Sequence, residues 1–130
     1  MLARGYESTQ GFVVKAGSQA VLESVPSMQE HVRGMYDVRQ DLIRNGVLEA
    51  KGQCYEFTQD YTFSSPSTAA AVVLGRSANG RVEWKDDSGR TLKELQEQVL
   101  ASRVGTKRIR VSEKVDRHDD IALNIAHITA

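Results

Sequence analysis

The sequence predicts a single α+β domain: a small, mostly antiparallel sheet packed by about three helices. Two observations carry this prediction. Short runs rich in β-branched and aromatic residues are bounded by turn signals such as Lys51-Gly52 and Asn79-Gly80. Between them stand stretches with helical apolar spacing and N-terminal capping signals. Short strands interrupted by helices in this way argue against long parallel βαβ repeats. A chain of 130 residues suffices for one domain and is too short for two ordinary ones. At that size about two-thirds of the unfolded surface is buried, so a real core forms without staples.

Taken in order, Gly11 to Lys15 (GFVVK) reads as a strand, punctuated by Ala16-Gly17-Ser18. Ser27 and Glu30 have the spacing of a capping box, and Val32, Met35, Tyr36, Leu42 and Ile43 then share a helical face. A helix is expected over 28–45, ended by Asn45-Gly46. Val47-Leu48 and Cys54 to Phe57 read as paired strands across Lys51-Gly52. Ser65 is a good N-cap with Pro66 at the first helical position, where its missing N–H costs nothing. The helix through Ala69 to Leu74 stops at Gly75.

Asn79-Gly80 signals a turn, and Arg81-Val82-Glu83-Trp84-Lys85 alternates polar and apolar as a half-buried strand does. Asp86 to Gly89 turns the chain again. Thr91 and Glu94 form a second capping box, ahead of a helix marked by Leu92, Leu95, Val99 and Leu100. Ile109 and Val111 suggest a strand over Arg108 to Ser112. Ile121, Ile125 and Ile128 favour a final helix over 121–130, although simple alternation also fits there. The expected division is an α+β accessory domain, 1–102, and a basic C-terminal extension, 103–130. An echo between VVKAGSQA (13–20) and VVLGRSANG (72–80) is attributed to chance.

Seventeen basic and seventeen acidic residues leave no net charge, so any affinity for nucleic acid must come from local segregation of charge. The single cysteine, Cys54, excludes an internal disulfide and a multi-cysteine zinc site, which fits a reducing cytoplasm. No stretch is long and apolar enough for a membrane span, and MLARGYESTQ lacks the apolar segment of a secretory signal. The chain is expected to be a fragment of a longer protein.

Catalysis needs positioned groups, and none stand out. His118-Asp119-Asp120 has no second histidine at helical spacing, so a solvated helix start is expected there and no metal. Cys54, in a strand, reads as a buried inert thiol. Ser64, Ser65, Ser67 and Thr68 are expected to cap and pack. No phosphate loop, dinucleotide fingerprint or nucleophile elbow is present. No cofactor is implied.

Two basic groupings remain. Arg76, Arg81, Lys85, Arg90 and Lys93 surround the Asn79-Gly80 turn and Trp84, which is expected in the core. Arg103 to Arg117 holds six basic residues against two acidic ones. An ordinary solvated face accounts for either grouping. The functional reading is contact with phosphates, with Arg76 or Asn79 able to read a base edge. The candidate nucleic-acid contacts are Arg76, Ser77, Asn79, Arg81, Lys85 and Arg90, with Lys107, Arg108 and Arg110 in the second run.

The block FSSPSTAAAVVLGRSANGRVEWKDDSGRTLKEL, with GFVVKAGSQA, DLIRNGVL and YEFTQDYTF upstream, resembles a bacterial domain of unknown function found C-terminal to GIY-YIG nucleases and in restriction-linked proteins. From Phe63 onward it is also similar to the RAMA module of restriction enzymes and adenine methylases. The resemblance covers about residues 5–96 and implies a non-catalytic accessory module of DNA-processing proteins. Its expected partners are double-stranded DNA and a nuclease or methylase domain of the parent protein. The alternative is a protein-interaction or dimerisation module that binds no nucleic acid.

Overall fold

The structure is a computed structural model and describes residues 2–105 and 123–125. The α+β class holds, with every described strand pair antiparallel. The strands divide between two sheets, where a single one was expected. The strands are β1 (Ala3–Ser8), β2 (Gly11–Val14), β3 (Gln19–Val21), β4 (Leu48–Lys51), β5 (Cys54–Phe57), β6 (Tyr61–Phe63) and β7 (Leu123–Ile125). One sheet runs β6-β2-β1-β7 and the other β3-β5-β4. The helices are α1 (Pro26–His31), α2 (Arg33–Arg44), α3 (Pro66–Leu74), α4 (Gly80–Glu83) and α5 (Leu92–Gly105).

Helix α3 is the centre of the domain. Ala69 to Leu74 are all buried, as expected of a helix apolar on every side. It packs against β2 and β6 of one sheet, β3 of the other, and both α2 and α4. Its small alanines let the neighbouring backbones approach. Phe12, Val14, Leu42, Leu48, Phe57, Phe63 and Trp84 complete the core around it. The start follows the capping logic: Ser65 Oγ accepts from the Thr68 N–H at 3.1 Å, and Pro66 occupies the first turn. The end does too, since Gly75 takes the left-handed conformation at φ 69° and its N–H donates to Ala71 O. Ser65→Ala is expected to cost about 1 kcal/mol, read from the urea midpoint of unfolding.

Four local expectations need correction. The helix expected over 28–45 is two helices, broken at Val32, whose backbone lies at φ −136°, ψ 56°. The β-branched Val32 and the nearby Gly34 are both weak helix formers. The break lets α1 bury Met28 while α2 buries Leu42. The Ser27–Glu30 capping box does not form, because Val25 is the N-cap and Pro26 opens the helix.

Arg81 to Lys85 is not a strand. The Asn79 carbonyl accepts from the Val82 and Glu83 N–H groups, and Gly80 O accepts from the Trp84 N–H, which makes a helical turn. Helical spacing then puts Gly80 and Trp84 on one side, both buried, and turns Val82 outward to 45% exposure. In the C-terminal part, Leu123–Ile125 is a strand, not a helix, and pairs with Ala3–Gly5 of β1. The expected strand at Arg108 to Ser112 and the rest of 121–130 lie outside the described residues.

Strands β1, β3 and β6 were not anticipated. The inward side of β1 carries only Ala3 and Gly5. A Cβ on Gly5 would meet the Phe12 ring at 2.5 Å, so its missing side chain makes room for Phe12. Cys54 is half-buried, and its Sγ lies 3.7 Å from Lys51 O.

Candidate nucleic-acid interface

The site is built from the N-terminus of α3 outward. Ser67 Oγ accepts from the Gly80 N–H at 2.9 Å, and Trp84 Nε1–H donates to Pro66 O at 3.1 Å. Gly80 lies directly on the backbone of Pro66 and Ser67, so close that an added Cβ would overlap Pro66 C and O and Ser67 N. Serine-proline-serine, asparagine-glycine and tryptophan are thus one structural contact. They pin the chain at Gly80. At the other end, Gly75 O accepts from the Val25 N–H at 2.8 Å. The segment between, Arg76 to Asn79, is held at both ends with Arg76, Ser77 and Asn79 exposed.

The Asn79 side chain faces its own backbone, since Oδ1 accepts from the Arg81 N–H at 3.0 Å and caps α4. Arg76 pairs with Glu83 at 3.3 Å and also donates to Ser77 O. Arg81 Nε donates to Gln96 Oε1 of α5 at 2.7 Å, and Gln96 in turn donates to the Glu7 carboxylate of β1. Arg90 pairs with Asp86 at 2.9 Å and also reaches Gln98. Lys85 sits where a single antiparallel bridge to Thr91 draws the chain back toward α5. Arg81, Lys85 and Lys93 have no carboxylate partner within ion-pair distance among the described residues.

The acids here are organised as well. Partial burial works against the charge of Asp86. The backbone N–H groups of Arg90 and Ser88, with the Arg90 guanidinium, outweigh it and hold the carboxyl below its usual range. The Thr91 backbone N–H and hydroxyl hold Glu94 low in the same way, completing the expected capping box.

All six described candidates, Arg76, Ser77, Asn79, Arg81, Lys85 and Arg90, are exposed and lie along α4 and the turns on either side of it. The expected strand face of Arg81, Glu83 and Lys85 does not exist, because Arg81 and Glu83 lie in α4 and Lys85 lies past its end. Lys107, Arg108 and Arg110, with His118-Asp119-Asp120, lie outside the described residues. Trp84 is fully buried at 4.7 Å from Phe12, so no face of it is free to stack on a base.

One unanticipated residue is Arg39, at 1% exposure. Its guanidinium donates to Val72 O at 2.7 Å and Val21 O at 2.5 Å, tying α2 to α3 and β3. It also lies 5.7 Å from the centre of the Tyr55 ring. Burial pulls its pKa below the ordinary guanidinium value, opposed by the nearby Tyr55 and Tyr36 phenols. The signal was present in the sequence: Arg39 lies between Met35 and Leu42 at helical spacing, inside an apolar stripe.

The model of a family described as a domain of unknown function, DUF4357, matches residues 1–96. The chain belongs to the DUF4357 family. No curated protein and no solved structure matches it. The Pro66–Ser67–Gly80–Trp84 contact and every described site candidate fall within the DUF4357 match. Strand β7 lies beyond it, although it pairs with β1 inside it. No described helix is long and apolar enough to cross a membrane.

Proposed function

We propose that this DUF4357 domain is a non-catalytic accessory module of a nuclease or restriction-modification type protein, contacting double-stranded DNA through Arg76 to Lys85. The resemblance to domains that accompany GIY-YIG nucleases, and to the RAMA module, supplies the class. One observation carries the surface: a segment pinned at Gly75 and Gly80 presents exposed polar side chains, and just past it Arg81 and Lys85 have no carboxylate partner among the described residues. A pre-held segment loses little freedom on binding. Arg81 and Lys85 would contact phosphates. Arg76 would have to exchange Glu83 for its ligand, a pair with Arg76 exposed and Glu83 half-buried.

The test is anisotropy of a labelled duplex, methylated and unmethylated, titrated with salt. Affinity is expected to fall with salt, with a log–log slope of about 0.9 per phosphate contacted. The Arg76→Ala/Arg81→Ala variant is expected to bind more weakly and to lower that slope by roughly 2. Undetectable binding of the native chain at low salt overturns the reading.

A second reading, a docking module for the parent enzyme or for a second copy, is favoured by the charge count. Residues 76–98 hold five cations (Arg76, Arg81, Lys85, Arg90, Lys93) and five acids (Glu83, Asp86, Asp87, Glu94, Glu97). Val82 is exposed in their midst. Light scattering and a pull-down with a neighbouring nuclease domain separate the two readings.

A further inference from the structure

Three arginines stand on the proposed DNA surface, and their guanidinium groups are engaged differently. Arg76 directs one Nη group to Glu83 and the other to Ser77 O. Arg90 gives Nε and one Nη group to Asp86, and its other Nη group to Gln98. Arg81 gives only Nε, to Gln96 Oε1 at 2.7 Å, and neither of its Nη groups meets an acceptor among the described residues. The residue is exposed.

The hold on Arg81 draws on three elements. Leu92 is buried and Leu95 packs against the core, which seats the start of α5. Gln96, half-buried, follows one helical turn after Leu92. Its Nε2 donates to both oxygens of the Glu7 carboxylate, at 3.1 and 3.2 Å. Glu7 is placed by the β1–β2 register, opposite Phe12. The carbonyl end of Gln96 thus faces a donor and its amino end an acceptor, and turning the amide over would break both contacts. Glu7 forms no ion pair with Arg81. The relay therefore orients the guanidinium without pairing its charge directly with a carboxylate.

An arginine side chain carries much rotamer freedom, and ordering it is part of the cost of binding. Here the Nε edge is ordered in advance and the Nη edge is open. That open edge is a planar fork able to take two oxygens of one phosphate.

We propose that Arg81 is the anchoring contact of this surface, taking one DNA phosphate end-on through both Nη groups, with Gln96 and Glu7 as its positioning residues. The inference rests on the DNA reading above and names the contact that carries it.

The experiment is a salt titration of a labelled duplex with the full chain and with Gln96→Met, Arg81→Ala, Arg81→Lys and the double variant Gln96→Met/Arg81→Ala. Gln96→Met is expected to weaken binding roughly 2- to 10-fold, the cost of ordering one such side chain, and to leave the salt slope unchanged. Arg81→Ala is expected to lower the slope by about 0.9, one phosphate. In that background Gln96→Met is expected to change nothing further, because its effect passes through Arg81. Arg81→Lys keeps the charge and loses the fork, so weaker binding at the native slope is expected. In the free protein the Arg81 Nε–H is expected to be protected from exchange with water, and to lose that protection in Gln96→Met. Native affinity in Gln96→Met, an equal loss from it in the Arg81→Ala background, or an unchanged slope in Arg81→Ala overturns this proposal and leaves the DNA reading standing. No binding by the native chain overturns both.

Discussion

Trp84→Ala is expected to destabilise the domain by about 3–5 kcal/mol, the range for removing a large aromatic side chain from a close-packed core. The ring is fully buried and lies 4.7 Å from Phe12, in a tilted arrangement. Phe12 itself occupies the space left by Gly5, so the cavity would open between β1, β2 and α3. The loss has a second component. Trp84 Nε1–H satisfies Pro66 O, in the first turn of α3, and truncation removes that partner. Trp84→Phe separates the two effects by keeping most of the volume and removing the donor, and is expected to cost clearly less than alanine. Urea unfolding checks both, provided the slope against denaturant is unchanged, so that the midpoint shift reports stability alone.

The second large effect is expected from Gly80→Ala, a change that adds a single methyl group. At an ordinary helical position this substitution stabilises, because alanine is the better helix former. Here the sign reverses. The added carbon would overlap the backbone of Pro66 and Ser67, and backbone cannot swing aside as a flexible side chain can. Either α4 lifts off α3, losing the Ser67–Gly80 hydrogen bond and unseating Trp84, or the start of α3 distorts. A loss of roughly 3 kcal/mol is expected, at the upper end of overpacking costs. Gly80→Ala and Trp84→Ala act on one contact, so the double variant is expected to lose clearly less than the sum. Additive losses in that cycle would show that α4 and Trp84 are held independently.

Both predictions bear on function through the same segment. Arg76 to Lys85 is presented to solvent only because Gly80 and Trp84 are fixed on α3. Destabilising that contact is therefore expected to weaken any ligand contact made there without touching a charged side chain.

What was legible along the chain was local. Ser65-Pro66 before the alanines, Gly75 after them, Thr91 with Glu94, and the Lys51-Gly52 turn each operate within a few residues, and each forms as expected. The α+β class followed from them. The Ser27–Glu30 pair had the same local signature and failed, because Pro26 opens α1 two residues earlier than expected, with Val25 as its cap. β1 was silent because its inward residues are alanine and glycine, which carry no hydrophobic signal. Arg39 broke an apolar stripe in plain view. Its meaning depends on carbonyls 18 and 33 residues away, which periodicity within one helix does not reveal.

The sequence by itself determined the class, the central capped helix and turns such as Lys51-Gly52 and Asp86 to Gly89, since these depend on dihedral preference and on caps within one turn of helix. Asn79-Gly80, expected as a turn, instead caps and opens α4. Tertiary structure alone decided the conformation of Arg81 to Lys85. Five residues satisfy a period of two or of 3.6 equally well, and the choice was made by Gly80 fitting against Pro66 and Ser67. The fold also decides that Arg76 meets Glu83 while Arg81 reaches Gln96 on α5. Those are properties of distance in space, and spacing along the chain does not contain them.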